Sequence, residues 1–364
     1  MRFVDMHCDT ISEILEQRRN GRQRTLRENK GQLDLQRMKS SGYLLQNFAL
    51  FVDSRSSRNS WEEVCALYEI YREELEVNGD MLAPILKYED IAANEASGKM
   101  SAMLTVEEGA VCGGRVEKLY RLYEMGVRML TLTWNYPNEL GYPNLNMSGN
   151  GSVTLFVPDT KRGLTEKGRE FAVQMEKLGM IIDVSHLSDG GFYDVLDCTR
   201  KPFVASHSNA RAICPCVRNL TDDMIRRLSD RGGCMGLNYC VDFLLDGRQT
   251  AVRENEQTVL PNDLQTAVGE SSGAMSEEAI DRKGIRENIL EAVARHAHHI
   301  VRTGGIEVLG LGSDFDGIST NEALPGVQSM ELLWETLHKA GFTQGELDKI
   351  FYGNVLRVYK DILS

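Results

Sequence analysis

Three of the seven histidines in this chain stand just past a short apolar run: His7, His186 and His207. A lone histidine is most often structural. Three at equivalent places, with carboxylates near them, describe a ring of nitrogen and oxygen donors suited to a metal ion. Asp9 follows His7 by two residues. Residues i and i+2 of a strand point the same way, so one imidazole and one carboxylate can meet on one cation. Glu107 lies in the run Thr105-Val106-Glu107-Glu108-Gly109. A carboxylate has two oxygens and can bridge two cations. His7 and Asp9 then complete one site with Glu107, and His186 and His207 complete the other. Sequence alone hardly separates Glu107 from Glu108; Glu107 is taken as the bridge. Two cations about 3.5–4 Å apart clamp a hydroxide that neither generates as well alone. Imidazole with carboxylate favours zinc, here two Zn2+ per chain, with manganese, iron or cobalt as alternatives.

Further candidates lie in the same kind of position. Leu311-Gly312-Ser313-Asp314-Phe315-Asp316-Gly317 follows the last apolar run. Asp314, nearer the run, is the candidate base that takes a proton and passes it to a leaving group. Asp316-Gly317 reads as a turn, and Asp53 as a helix cap. Arg218, in Arg218-Asn219, is placed to hold a carboxylate through its two-pronged guanidinium. His296, His298 and His299 fall inside an expected helix, away from the rim, and read as a structural or solvated face.

The donors need a scaffold that presents strand ends at one rim. Eight short apolar runs recur, at 2–7, 43–52, 101–106, 127–133, 179–185, 202–206, 233–239 and 306–312. Near-continuous apolar runs suit parallel strands buried on both faces. Amphipathic stretches separate them. Residues 164–178 align Phe171, Ala172, Met175 and Leu178 before Gly179. Thr221 caps a helix that buries Met224, Ile225 and Leu228, and Ile285, Ile289, Val293, Ala297 and Ile300 make another stripe. Strand and helix alternating eight times predict a (β/α)8 TIM barrel, whose chemistry sits at the C-terminal strand ends. A doubly wound sheet would need a glycine-rich turn after its first strand; Met6-His7-Cys8-Asp9-Thr10 has no glycine. One domain over 1–364 is expected. A polar segment at 242–283, after the seventh strand, is expected to be an insertion or lid.

Composition excludes other classes. Hydrophobic residues make up 42% and charged residues 26%, which is globular rather than disordered. With 41 Lys and Arg against 53 Asp and Glu, the net charge of −12 gives no general attraction for nucleic acid or an anionic membrane. No apolar run is long enough to span a bilayer. The eight cysteines lack metal-finger spacing, and reduced thiols are expected. The opening Met1-Arg2-Phe3-Val4-Asp5 carries no signal-like apolar stretch, so a cytoplasmic location is expected.

Taken in order, these motifs resemble the membrane (renal-type) dipeptidase family, a branch of the amidohydrolase barrel enzymes. The matching segments are Asp5-Met6-His7-Cys8-Asp9-Thr10, Val106-Glu107-Glu108-Gly109, residues 126–133, Asp183-Val184-Ser185-His186-Leu187-Ser188, Ser206-His207-Ser208, Arg218-Asn219, residues 310–317 and residues 353–357. The resemblance implies a binuclear zinc dipeptidase. His7 and Asp9 match the ligands of one zinc, His186 and His207 those of the other, and Glu107 the bridge. Asp314 matches the residue that handles the proton, and Arg218 the one that holds the substrate. It also implies a dipeptide substrate and a homodimer. One departure stands out. The renal enzymes carry a histidine, thought to steady the oxyanion, directly after the fourth strand. Trp134-Asn135 stands there in this chain. Both are candidate substrate contacts, and Asn135 can donate a hydrogen bond in the histidine's place. The mammalian relatives also have a signal peptide and a lipid anchor; neither is expected here. Two other readings remain at this level: a different amidohydrolase reaction, such as deacylation of an N-acyl amino acid, and a metal-binding homologue without turnover.

Overall fold

In the computed structural model of the chain, residues 1–145, 155–246 and 282–363 are described. Nine strands run in parallel: β1 (Phe3–Asp5), β2 (Tyr43–Phe51), β3 (Leu82–Pro84), β4 (Met100–Glu107), β5 (Val127–Thr131), β6 (Ile181–Asp183), β7 (Val204–Ala205), β8 (Cys234–Leu237) and β9 (Leu309–Leu311). β1 pairs with both β2 and β9, and β2 pairs with β4 from Leu45↔Ser101 to Phe51↔Glu107. These pairings close a barrel of eight strands, β1, β2 and β4 to β9. All eight expected runs become barrel strands. The ninth, β3, was not expected. It pairs with the opening residues of β4, Leu82↔Met100 to Pro84↔Ala102, while β5 joins β4 only from Leu104 onward.

The helices follow the cues in the sequence. Thr165 caps helix Glu166–Leu178 by accepting from the Gly168 amide, and Gly179 ends it in the left-handed conformation. Thr221 does the same for Asp222–Asp230, accepting from Met224 N. Helix Arg282–Gly304 buries Ile289, Val293, Ala297 and Ile300. Of the expected insertion 242–283, residues 247–281 lie outside the described residues. Its first residues belong to the short helix Val241–Leu244. None of the described helices is long and apolar enough to cross a membrane.

The interior of the barrel is divided along its axis. On β4, Met103, Thr105 and Glu107 share a face. Met103 packs with Val4, Leu45, Met129, Ile181, Val204 and Cys234, one side chain from each of six other barrel strands. The helix Asn354–Ile362 fills the space beneath them with Val355, Val358, Tyr359 and Ile362. Asn47 of β2 donates to the Tyr359 hydroxyl at 2.7 Å and to Met6 O at 3.0 Å. Glu107 sits at the opposite end of the same face of β4.

Glycine lets the strands approach one another closely near this upper end. A Cβ on Gly312 would lie 1.8 Å from Ser206 O, and one on Gly236 would lie 2.0 Å from the same oxygen. Backbone atoms cannot give way as side chains do. Gly312→Ala should therefore destabilise the protein by at least about 1–3 kcal/mol, the usual cost of overpacking. Denaturant unfolding of the two proteins measures this; equal midpoints and slopes would show that the strands tolerate the methyl group.

Candidate metal centre

Every barrel strand delivers a side chain to the upper rim. His7 and Asp9 follow β1, Glu107 ends β4, and Trp134 and Asn135 follow β5. His186 follows β6, His207 β7, Asn238 β8 and Asp314 β9, while Phe51 ends β2. The five expected donors converge. His7 Nε2 lies 3.3 Å from Asp9 Oδ2 and 3.2 Å from Glu107 Oε2. The other Glu107 oxygen, Oε1, lies 2.9 Å from His186 Nε2 and 3.6 Å from His207 Nε2. The carboxylate thus turns one oxygen to each half of the cluster. Among the described residues, His7 with Asp9 and Glu107, and Glu107 with His186 and His207, are each compact enough to hold an ion; so is His7 with His207 and Asp314.

The proton positions on two imidazoles can be worked out from their neighbours. His186 Nδ1 is 2.9 Å from Asn135 Oδ1, an acceptor, so this nitrogen donates. His207 Nδ1 is 2.7 Å from Ser206 Oγ, whose own proton is spent on Asp183 Oδ2 at 2.5 Å. His207 Nδ1 therefore donates as well. Both Nε2 atoms are left with lone pairs, and they face each other at 3.0 Å. Two lone pairs that close repel unless a cation sits between them and Glu107. Asp9 Oδ1 is also buried without a hydrogen-bond partner. Nitrogen and carboxylate donors with unmet valence fit a divalent metal of zinc's kind.

Charge and burial shape the group. Burial pushes the His186 imidazole down to about 3, with Arg218 adding to the effect. Burial acts on Asp9 in the opposite sense and raises it to about 7, against the pull of His7. Glu107 is also buried, yet His7, His186 and His207 together hold it well below the usual carboxylate range.

A cavity of about 500 Å³ opens over the cluster, lined in part by Asp9, Glu107, Trp134, Asn135, His186, Arg218 and Asp314. Asp314 Oδ1 stands 3.8 Å from His7 Nε2, and its Oδ2 accepts from Asn238 Nδ2 at 3.0 Å. One oxygen is anchored and the other faces the donors. Arg218 is 3% exposed, and its closest polar contacts are Ser208 Oγ at 3.5 Å and His207 O at 3.3 Å. Its Nε has no partner, and the guanidinium lies 5.3 Å from the centre of the Phe243 ring. Trp134 meets Phe51 edge-on at 4.8 Å. Glu108 points elsewhere: its Oε1 accepts from Ala110 N and Asn138 Nδ2.

The comparisons with known proteins point to one family. A family model described as membrane dipeptidase, peptidase family M19, matches residues 1–363. The chain belongs to family M19. It is a hydrolase of the metal-dependent dipeptidase class. A Klebsiella pneumoniae protein from the pqqA 5′ region is 34% identical over 266 residues, covering 72% of this chain and 83% of that one. A dipeptidase of Schizosaccharomyces pombe is 27% identical over 340 residues, covering 90% of this chain and 71% of its own. Among solved structures, the dipeptidase AC of family M19 superposes with a TM-score of 0.81 at 25% identity, over 100% of this chain and 99% of that chain.

Several residues that build this M19 site were not singled out in the sequence. Asn238, which holds Asp314, follows a barrel strand as the donors do, but asparagine carries no metal signature. Asp183, 0% exposed, gathers Ser185 N, Ser206 N, Ser206 Oγ and Thr131 Oγ1. The fragments Asp-x-Ser-His and Ser-His contain that pattern without revealing that the two serines meet. Asp53 accepts from Arg55 N and Ser56 N and so closes a turn, while Asn59 caps the next helix; the helix-cap reading of Asp53 fails because the helix starts later. His296 is structural as expected: its Nδ1 accepts from Ala210 N. All four described non-glycine residues with positive φ lie at the M19 rim: Glu108, His186, Asp314 and Asp316. Such backbone costs energy and concentrates at working sites.

Proposed function

We propose that the protein is a binuclear zinc dipeptidase. The observation that carries this reading is the pair of imidazole lone pairs facing each other beside a carboxylate that divides its oxygens between two donor sets. His7, Asp9 and Glu107 would hold one cation, and Glu107, His186 and His207 the other. When bound, two such ions supply Lewis acidity toward the peptide carbonyl and lower the pKa of water. The remaining steps belong to the chain. Asp314 Oδ1, facing the cluster, accepts the proton of the attacking water and returns it to the departing amine. Asn135 spends its Oδ1 on His186 and turns its Nδ2 toward the carbonyl oxygen as charge gathers there. Trp134 walls the same side of the cavity. Arg218, buried with two long hydrogen bonds and no carboxylate partner among the described residues, receives the substrate's C-terminal carboxylate.

That anchor fixes the carboxyl end of the substrate one residue beyond the scissile bond, and recognition of a free α-amino group one residue before the same bond would limit cleavage to dipeptides. Arg218→Met should lower kcat/KM by about one to two powers of ten, at roughly 1.4 kcal/mol each. It should also narrow the gap between a dipeptide and its C-terminal amide, since only the wild type has a charge partner to lose. Kinetics of both substrates with both proteins close the cycle; an unchanged gap assigns the carboxylate to another group. Zinc-loaded protein should cleave dipeptides and spare tripeptides and N-acetylated dipeptides. Turnover of N-acyl amino acids alone would make it a deacylase, and no turnover a metal-binding homologue.

A further inference from the structure

The three imidazoles of the cluster are supported in three different ways. His186 leans on a neutral amide, Asn135. His7 Nδ1 has no hydrogen-bond partner. His207 alone is backed by a chain of groups that ends in a carboxylate: Nδ1 to Ser206 Oγ at 2.7 Å, and Ser206 Oγ to Asp183 Oδ2 at 2.5 Å. Every member is buried, with Asp183, Ser206 and His207 each 0% exposed.

We propose that Asp183 is a positioning residue that acts on His207 through the Ser206 hydroxyl, fixing which ring nitrogen faces the cation held with Glu107 and His186. The proposal rests on the binuclear reading above. Asp183 receives two backbone amides, Ser185 N at 3.0 Å and Ser206 N at 2.8 Å, and the Thr131 hydroxyl at 2.7 Å. With that many donors aimed at it, the carboxylate is an acceptor only. Ser206 must then donate to it. A hydroxyl has a single proton, so Ser206 Oγ can only accept from His207 Nδ1. The ring proton is held at Nδ1, and Nε2 keeps its lone pair toward Glu107 and His186. Replacing the carboxylate with an amide removes the constraint. Ser206 is then free to turn its proton toward the ring, and the other tautomer, with a proton on Nε2 aimed at the cation, becomes available.

Asp183 also ties the backbones after β6 and β7 together, so a fold-only role must be separated from the relay. Full-length Asp183→Asn, Ser206→Ala and the double variant are compared with the wild type. Zinc is titrated against a chromophoric chelator, and the histidine tautomers of the metal-free proteins are read by nitrogen-15 NMR. Ser206→Ala keeps the carboxylate and both backbone bonds, so it reports on the relay even if Asp183→Asn folds poorly. Each single variant should bind one of the two zinc ions about 10–100-fold more weakly, the usual cost of losing an outer partner of a ligand histidine. Asp183→Asn should cost nothing further in the Ser206→Ala background, and the His207 Nδ1–H signature should be lost in both. Unchanged zinc affinities, unchanged tautomers or additive losses would overturn the relay and leave Asp183 a backbone tie. A wild type that takes up no zinc would instead overturn the binuclear reading, with the tautomer spectra still deciding whether the relay sets the ring.

Discussion

Asp314→Asn should keep both cations and lose about 10²–10⁴-fold in kcat, the range expected when a general acid–base group is removed. The substitution preserves size, and Asn238 can still engage the retained amide oxygen, because only Asp314 Oδ2 is tied to Asn238 Nδ2. What disappears is a carboxylate oxygen 3.8 Å from His7 Nε2 that can take up a proton. Zinc content by elemental analysis and single-turnover kinetics test the two halves separately. Asp314 also belongs to a compact trio with His7 and His207. Loss of zinc along with turnover would therefore make it a ligand, and near-normal kcat would move the proton to another acceptor.

On the proposed binuclear reading, Glu107→Gln has the broadest expected effect, because it would strike both cations at once. One oxygen becomes an amide nitrogen that coordinates poorly, and the remaining oxygen cannot serve His7 at 3.2 Å and His186 at 2.9 Å from opposite sides. Zinc affinity at both sites should fall by more than the roughly 10–100-fold that loss of an outer partner costs, with turnover falling in parallel. Glu108→Gln should leave both zinc ions bound, since that carboxylate serves Ala110 N and Asn138. Chelator titration of the two variants side by side decides it. If Glu108→Gln releases zinc and Glu107→Gln does not, the bridge has been misassigned.

Much of this was legible from residue order. Parallel strands buried on both faces leave apolar runs, so the eight barrel strands could be read directly. Leu82–Pro84 is too short and too proline-bound to leave such a trace, and it pairs only at the outer start of β4. The convergence of the five candidate donors was legible because three histidines stand at equivalent places just past apolar runs, with carboxylates near them. The choice between Glu107 and Glu108 is a matter of pleat. Adjacent residues face opposite ways, and only the register of β4 says which looks inward. Asn238 and Asp183 were opaque for another reason: their contribution is a hydrogen bond to a residue 76 or 23 positions away in sequence. Nor does an aspartate or histidine announce the left-handed backbone that His186 and Asp314 adopt.

The helix Asn354–Ile362 beneath the barrel bears on how the protein comes into being. Synthesis delivers His7 and Asp9 well before the side chains that fill the floor under β1, Val355 and Tyr359 among them. No amino-terminal fragment contains the finished rim, because the first and last strands lie side by side in its wall and the base is a helix made after both. Contacts joining the two extremes of a chain form late and slowly. The donors that follow β1 are therefore made long before the neighbouring strand and the floor helix that hold them in place.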